Sequence, residues 1–398
     1  MFSSLSIRNF RIYWLGMFVS LIGTWVQVVT QSWLMFQLTN SVFLLGLVGF
    51  LSSIPVFLLS LFGGVAADRM NKKNILLFTQ NAFMLLAFLL ALLTQMKLIT
   101  PTQIMLIALL NGIVLAFDAP ARQAVIADLV GKEHLLNAIA LNSAAFSSAR
   151  IIGPALAGIL IASIGMSGCF YINGISFLAV IIALLLININ NGQRRSTKTF
   201  LIKDLSDGLR FIKDNRIILI LISMVGITSL FGISYVILMP VFANDVLNVG
   251  VKGLGLLMSS AGFGALIAAL ILARLGDFKY KGKLLISSSI IFSISLVLFS
   301  LSKTYFISLI TLILIGGASV TAIGIVNTLL QALVPDEFRG RAMSAFMLTF
   351  AGFMPFGNLL AGSLAHIWGV SITVLISGII CTAFFIIINI LYPQIRNI

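Results

Sequence analysis

Charged side chains are absent from residues 12 to 67 and again from 342 to 395. Uncharged apolar runs of at least ~18 residues read as membrane-spanning helices, and each stretch is long enough for two crossings at roughly 20 residues apiece. Along the whole chain the pattern predicts twelve helices, at 12–36, 42–66, 75–95, 102–121, 137–163, 168–188, 217–242, 252–274, 284–302, 305–331, 342–367 and 371–391. The expected class is an all-α polytopic membrane protein. One substantial polar break interrupts it, "NNGQRRSTKTFLIKDLSDGLRFIKDNR" at 190–216. Within the break Leu201, Leu205, Leu209 and Ile212 recur at helical spacing with charges between them. That spacing predicts an amphipathic helix lying along the inner membrane face, with a solvated linker as the plainer reading. Three parts follow: six spans in 1–189, the linker 190–216, and six spans in 217–398.

The two halves repeat each other. "GGVAADRMNKKN" (63–74) follows the second predicted helix and "ARLGDFKYKGK" (273–283) follows the eighth, so Asp68 and Asp277 stand 209 positions apart. "AGILIASIG" (157–165) closes the fifth helix and "AGSLAHIWG" (361–369) the eleventh, an offset of 204. Parallel repeats of six-helix units, giving two pseudo-symmetric bundles, are one way secondary transporters are built.

Composition agrees with the pattern. Of 398 residues 60% are hydrophobic and 9% charged, against about 25% charged in soluble domains, and the mean hydropathy is +1.14. The net charge of +14 could invite a nucleic-acid reading, but its placement argues against one. With the N-terminus in the cytoplasm, only Lys97, Lys252 and Lys303 of the 25 Lys and Arg fall on the far side and only Arg150 falls within a span. The remaining 21 gather on the near side, which places both termini in the cytoplasm by the positive-inside rule. The first span contains Gln27 and Gln31 and is too long for a signal-peptide core. Cys169 and Cys381 have no ligand-type neighbours and read as buried packing residues.

Arg150 is the one charge between Leu135 and Gln193. A cation at mid-span costs roughly 2.5–3.5 kcal/mol on insertion scales and ordinarily faces a cavity or a partner. No Asp or Glu lies at comparable depth. Two readings stand: Arg150 binds backbone carbonyls and amides such as Asn111 and Asn142, or it offers positive charge to a cavity.

"GVAADRMNKK" (64–73) resembles the loop signature of the major facilitator superfamily through Gly64, Asp68, Arg69, Lys72 and Lys73. Ala66 stands where a leucine is usual, and Asn71 where a glycine is usual. Asn71 is expected to keep a left-handed turn there. Gly64 is expected to allow a close backbone approach. "ARIIGPALAG" is similar to the helix 5 signature of the exporter branches, in Gly153, Pro154, Ala157 and Gly158, although Ala145 replaces its upstream glycine. "GTWVQVVTQSWLMFQLTNS" (23–41) and "DAPARQAVIADLV" (118–130) resemble siderophore and macrolide exporters. The resemblance implies a conformational latch of Gly64, Asp68, Arg69, Lys72, Lys73 and Asp277, with Asp118 as acidic partner of the basic loop; the plainer reading is that these charges orient helices. It also implies a cavity lined by helices 1, 4, 7 and 10, which adds Asn111, Tyr235 and Asn327 to Arg150, Trp25, Gln27, Gln31 and Asn142 as cavity candidates.

The function expected is that of a secondary transporter, not an enzyme. The expected mode is proton-coupled export by rocking of two halves, with an uptake carrier on the same fold as the alternative. An arginine with aromatic and amide neighbours suits an anionic or neutral amphiphile such as a siderophore or drug. Asp118 is the candidate for proton coupling. No phosphate-binding loop of the Gly-x-x-x-x-Gly-Lys-Ser/Thr form and no metal-spaced His/Cys cluster occurs, so no cofactor or metal is expected. The expected partners are a small solute, protons and the lipid bilayer, with no nucleic acid. The expected location is the plasma membrane of a bacterium, where a monomer suffices.

Overall fold

The structure is a computed structural model and describes residues 3–187, 212–276 and 278–398, without the side chain of Lys132. The expected amphipathic helix and Asp277 therefore lie outside the described residues. Every regular element among the described residues is helical, as a bilayer requires of a chain that cannot leave backbone polar groups unpaired. The helices are α1 Arg8–Thr39, α2 Val42–Arg69 and α3 Lys72–Gln95. A helical stretch Pro101–Leu186 follows, in which Gly131 (φ 69°) and Gly165 (φ 75°) are non-helical. They divide it into α4 (101–130), α5 (132–164) and α6 (166–186). Next come α7 Arg216–Val246, α8 Gly250–Leu275, α9 Lys281–Leu301, α10 Tyr305–Leu333, α11 Asp336–Trp368 and α12 Val370–Leu391.

Among the described residues eleven helical stretches are long and apolar enough to cross a membrane, the longest being Glu133–Leu186 with 54 residues. At 1.5 Å per residue that stretch would extend about 80 Å, far more than the ~30 Å hydrocarbon core. The break at Gly165, with a positive φ that glycine adopts without steric cost, makes α5 and α6 separate helices. Three starts are fixed by side chains, the first by Ser41, whose Oγ accepts from the Leu44 N–H at 3.3 Å ahead of α2. Thr100 and Gln103 form a capping box ahead of α4, with Pro101 in its first turn. Asn71 caps α3, its side chain accepting from the Lys73 N–H at 2.9 Å.

Backbone contacts group the chain into two compact units. The first holds Met1–Asn40, Leu51–Thr197 and Gly250–Ser259; the second holds Ser41–Phe50, Lys198–Val249 and Ser260–Ile398. In the first, Phe10, Tyr13 and Met17 of α1 join Leu76, Val125, Val180 and Leu184 in one buried cluster. α1 reaches α6 closely at Gly16, where an added Cβ would sit 2.7 Å from the Ala179 carbonyl oxygen. Ser4 ties the N-terminal turn to α5, its Oγ donating to the His134 carbonyl and its N–H to Asn137 Oδ1, each at 3.0 Å. In the second unit α9 packs on α10 and α12. There α8 and α10 meet through Gly264 and Gly316, each facing the other helix's backbone at under a side chain's width. Lipid offers no hydrophobic drive between helices, so such close contacts of small residues supply the packing.

Candidate functional site

The helix 5 signature does its local work at Gly153. A Cβ there would lie 2.4 Å from Trp25 Cβ, so the glycine lets α5 press directly on α1. One turn earlier Arg150 lays its guanidinium 6.0 Å from the centre of the Trp25 ring. A further turn back, Phe146 meets the same ring edge-on, also at 6.0 Å. Trp25 thus carries a cation and a second aromatic side chain, both from one face of α5. Arg150 and Trp25 are each half-buried. Among the described residues no ion pair or hydrogen bond engages Arg150, so neither Asn111 of α4 nor Asn142 of α5, both half-buried, is its partner. A cation over an indole face gains ~0.5–2 kcal/mol, less than the cost of holding it at mid-span.

The remaining cavity candidates divide. Gln31 is half-buried. Gln27 is buried, and its Oε1 accepts from Asn173 Nδ2 at 2.6 Å. Asn173 in turn accepts from Ser176 Oγ at 3.1 Å. Gln27 thus binds α1 to α6 and does not share the role of Gln31, although the two are one turn apart. In the second unit Tyr235 is 6% exposed, with its ring edge-on to Phe299 at 6.2 Å. Asn327 Oδ1 accepts from Gln331 Nε2, one turn along α10. Tyr235 sits between two π-helical turns of α7, Thr228–Gly232 and Phe242–Val246, the kind of irregularity that re-aims a helix face.

The second cluster surrounds Asp118 of α4, which has no exposed surface. Its Oδ1 accepts from Thr79 Oγ1 and Gln80 Nε2 of α3, each at 2.7 Å. Its Oδ2 accepts from Arg122, one turn along α4, through Nε at 3.0 Å and through Nη2. The Tyr13 hydroxyl and Gln80 Oε1 are buried there without a partner. Asp118 is therefore not the acid that meets the basic loop. That acid is Asp128, ten residues on, which Lys72 reaches at 2.6 Å. Lys73 donates to the Ile187 carbonyl at 2.8 Å. Asp68 and Arg69 are exposed at the end of α2.

Two expectations about the loop signature are corrected. Asn71 has φ −69° and ψ 113°, an extended cap and not a left-handed turn, because its side chain is spent on the Lys73 N–H. Gly64 has open space where a Cβ would stand, whereas a Cβ on Gly63 would come 2.1 Å from the Ala116 carbonyl oxygen. The close approach of α2 to α4 is at Gly63.

Pro154, Ala157 and Gly158 of α5 face residues 250–259. A Cβ on Gly255 would lie 2.4 Å from the Pro154 carbonyl oxygen, and one on Gly158 would lie 3.1 Å from Lys252 Cα. Ala157 is fully buried, and Ser259 Oγ donates to the Ile151 carbonyl at 2.6 Å. Pro154 has helical backbone neighbours on both sides. Among the described residues no group of three or more His, Cys, Asp or Glu could hold a metal ion.

Phe146, Asn173, Arg122 and Asp128 were not among the sequence candidates. Phe146 had a usable signal, since it stands one turn from Arg150 in "AAFSSAR". The others needed the facing of one helix on another.

A family model described as a transmembrane secretion effector matches residues 1–397. The staphyloferrin A transporter of Staphylococcus aureus is 30% identical over 380 residues, covering 94% of each chain. Macrolide efflux protein A of Streptococcus pyogenes is 24% identical over 382 residues, again 94% of each. Enterobactin exporter EntS of Shigella boydii is 25% identical over 336 residues, 83% of this chain and 79% of the exporter. Among solved structures, a bacterial homologue of the human lysosomal transporter Spinster, inward-facing and unoccupied, superimposes with a TM-score of 0.76 at 14% identity over 98% of both chains. A D-xylose–proton symporter gives 0.75 at 14% identity, over 94% of this chain and 96% of its own. These two likenesses are of fold alone. The chain belongs to the transmembrane secretion effector family of major facilitator superfamily transporters.

Proposed function

We propose that the protein is a proton-coupled exporter of a small anionic or neutral, partly aromatic amphiphile, working by alternating access of its two halves. The observation that carries the reading is Arg150, at mid-α5, laid over Trp25 with no carboxylate paired to it among the described residues. A guanidinium presents a planar fork to carboxylate or phenolate and stacks on rings. An arriving anion with an aromatic part would complete the charge of Arg150 while packing on Trp25 and Phe146. Gln31, Asn111, Asn142 and Asn327 are the polar lining in this reading, and Gln27 and Tyr235 hold the helices that carry it. Export is supported by relatives named for efflux or export of a macrolide and of enterobactin. The charge asymmetry supports a multi-pass protein of the bacterial plasma membrane with both termini in the cytoplasm. Gly64, Asp68, Arg69, Lys72, Lys73 and Asp277 form the latch of the transport cycle. Asp118 is the proton-coupling group, since its protonation would release Arg122.

The test is accumulation of a solute panel in cells with and without the protein, each with and without a protonophore. The panel holds anionic siderophores, neutral macrolides and lipophilic cations. Anionic or neutral amphiphiles are expected to fall inside expressing cells and to recover when the gradient collapses. Arg150→Lys should cut export of the anions by about ten-fold, the ~1.4 kcal/mol of one lost bidentate or stacked contact. Expulsion of cations alone would overturn the charge reading. A rise of solute inside would make the protein an uptake carrier.

A further inference from the structure

The second unit carries a groove that the transport reading does not use. It encloses about 360 Å³ between α8 and α9, with α10 as its floor. The floor is made of small residues, Gly264 and Ala268 of α8 with Gly317 and Ala318 of α10. At ~30 Å³ for each water-sized group, the space holds roughly a dozen groups of methylene size. Its rim residues Ile267, Ile271 and Ile291 are exposed, which in a membrane means they face lipid.

Three hydroxyls line the groove, and each is already committed. Ser287 Oγ donates to the Leu284 carbonyl, Ser288 Oγ to the Leu285 carbonyl and Thr321 Oγ1 to the Gly317 carbonyl, at 3.2, 3.0 and 2.9 Å. The wall thus has no donor to spare for a polar solute, and its occupant is hydrocarbon. The polarity is concentrated at one end. Leu275 and Leu284 line the groove where α8 stops and α9 starts. Beside them stand Arg274 in the last turn of α8 and Lys283 in the first turn of α9, both exposed. Lys279 and Lys281 occupy the connection and the start of α9. Lys283 lies 4.8 Å from the Tyr280 ring centre, which holds its chain at the groove's end. A hydrocarbon slot terminating in cations is complementary to one class of molecule, an acyl chain with an anionic head.

We propose that this groove binds an anionic phospholipid, one acyl chain lying between α8 and α9 and the headgroup resting on Arg274 and Lys283. The proposal stands apart from the transport reading, because its readout needs no solute and no gradient.

The test is native mass spectrometry of the purified full-length chain in detergent, offered equal phosphatidylglycerol and phosphatidylcholine. Phosphatidylglycerol is expected to be retained in preference. Arg274→Gln/Lys283→Gln should lower that preference by about five-fold for each cation removed. Arg339→Gln/Arg341→Gln, which removes the same charge from α11, should leave it unchanged. Ser287→Phe, projecting from the exposed side of α9 into the groove, should lower retention of both lipids, and Ile291→Trp on the same rim gives a second route to that result. Equal losses in the two double variants would reduce the effect to a general charge shell and overturn the proposal. So would unchanged retention in both filling variants, or competition by glycerol phosphate as strong as by the lipid. A lipid-free species at twice the chain mass, abolished by Ser287→Phe, would assign the groove to a second copy instead.

Discussion

Asp118 is buried completely, yet it is held as an anion is held, with Thr79, Gln80 and Arg122 all donating to its two oxygens. Removing one member of a buried pair costs more than removing both, because the survivor is left uncompensated, at about 3–5 kcal/mol. Asp118→Asn is therefore expected to lower thermal stability in detergent clearly, and Asp118→Asn/Arg122→Gln to recover a good part of the loss. If single and double variants melt alike, the two residues do not act as a pair. In transport, the proposed coupling role of Asp118 predicts that Asp118→Asn, compared at equal amounts of folded protein, loses gradient-driven export while keeping solute exchange across the membrane at equilibrium. Neighbouring glycines give a second contrast at this scale. Gly63→Ala places a Cβ 2.1 Å from the Ala116 carbonyl oxygen, whereas Gly64→Ala meets nothing within 4 Å. Overpacking of the first kind costs ~1–3 kcal/mol, and a substitution into open space stays within about 0.5 kcal/mol. Thermal melts of the two single variants check this directly. Motif spacing selects Gly64, but a rotation of ~100° per residue decides which of two adjacent glycines faces α4.

At the scale of elements, what was legible in the sequence was whatever depends on one helix alone. The uncharged runs located the spans, and "AGILIASIG", which closes the fifth predicted helix, located the break between α5 and α6, because length and hydropathy act along the chain. Pairings between helices were not legible, for each depends on the rotation of two cylinders. Asp118 and Asp128 both lie in α4, and the sequence offered no means of telling which one α3 would reach with Lys72. Gln27 looked like a partner of Gln31, yet α6 approaches the other side of α1 and takes Gln27 through Asn173. Of the cavity candidates, Arg150 and Trp25 lie against each other, with Phe146 edge-on to the same ring. The α1–α6 bond can be measured by a double-mutant cycle on Gln27→Leu and Asn173→Leu. Each single change strands a buried amide, at ~1–3 kcal/mol, and the pair should couple by ~0.6 kcal/mol, up to about 1.7, as interhelical bonds in membranes do. Strict additivity would mean that the two amides are satisfied separately.

For the molecule as a whole, the cations and the break at Gly165 make one joint prediction. Lys97 lies between α3 and α4, before the 54-residue stretch Glu133–Leu186, and Lys303 lies after α9, beyond it. If that stretch makes two crossings, as its length of about 80 Å requires, Lys97 and Lys303 share a side. If it made one, the side of every later connection would invert, and Lys303 would change places with Lys279. Cys169 and Cys381 are fully buried, so both can be replaced by Ala to give a silent background, with new cysteines placed singly at Lys97, Lys303, Lys279 and Arg339. On intact cells a membrane-impermeant maleimide should label Lys97→Cys and Lys303→Cys. Lys279→Cys and Arg339→Cys should react only after the membrane is opened, as the positive-inside rule demands. Labelling of Lys97→Cys together with Lys279→Cys would mean that α5 and α6 cross once. The fully reversed pattern would put both termini outside and overturn the placement drawn from the positive-inside rule.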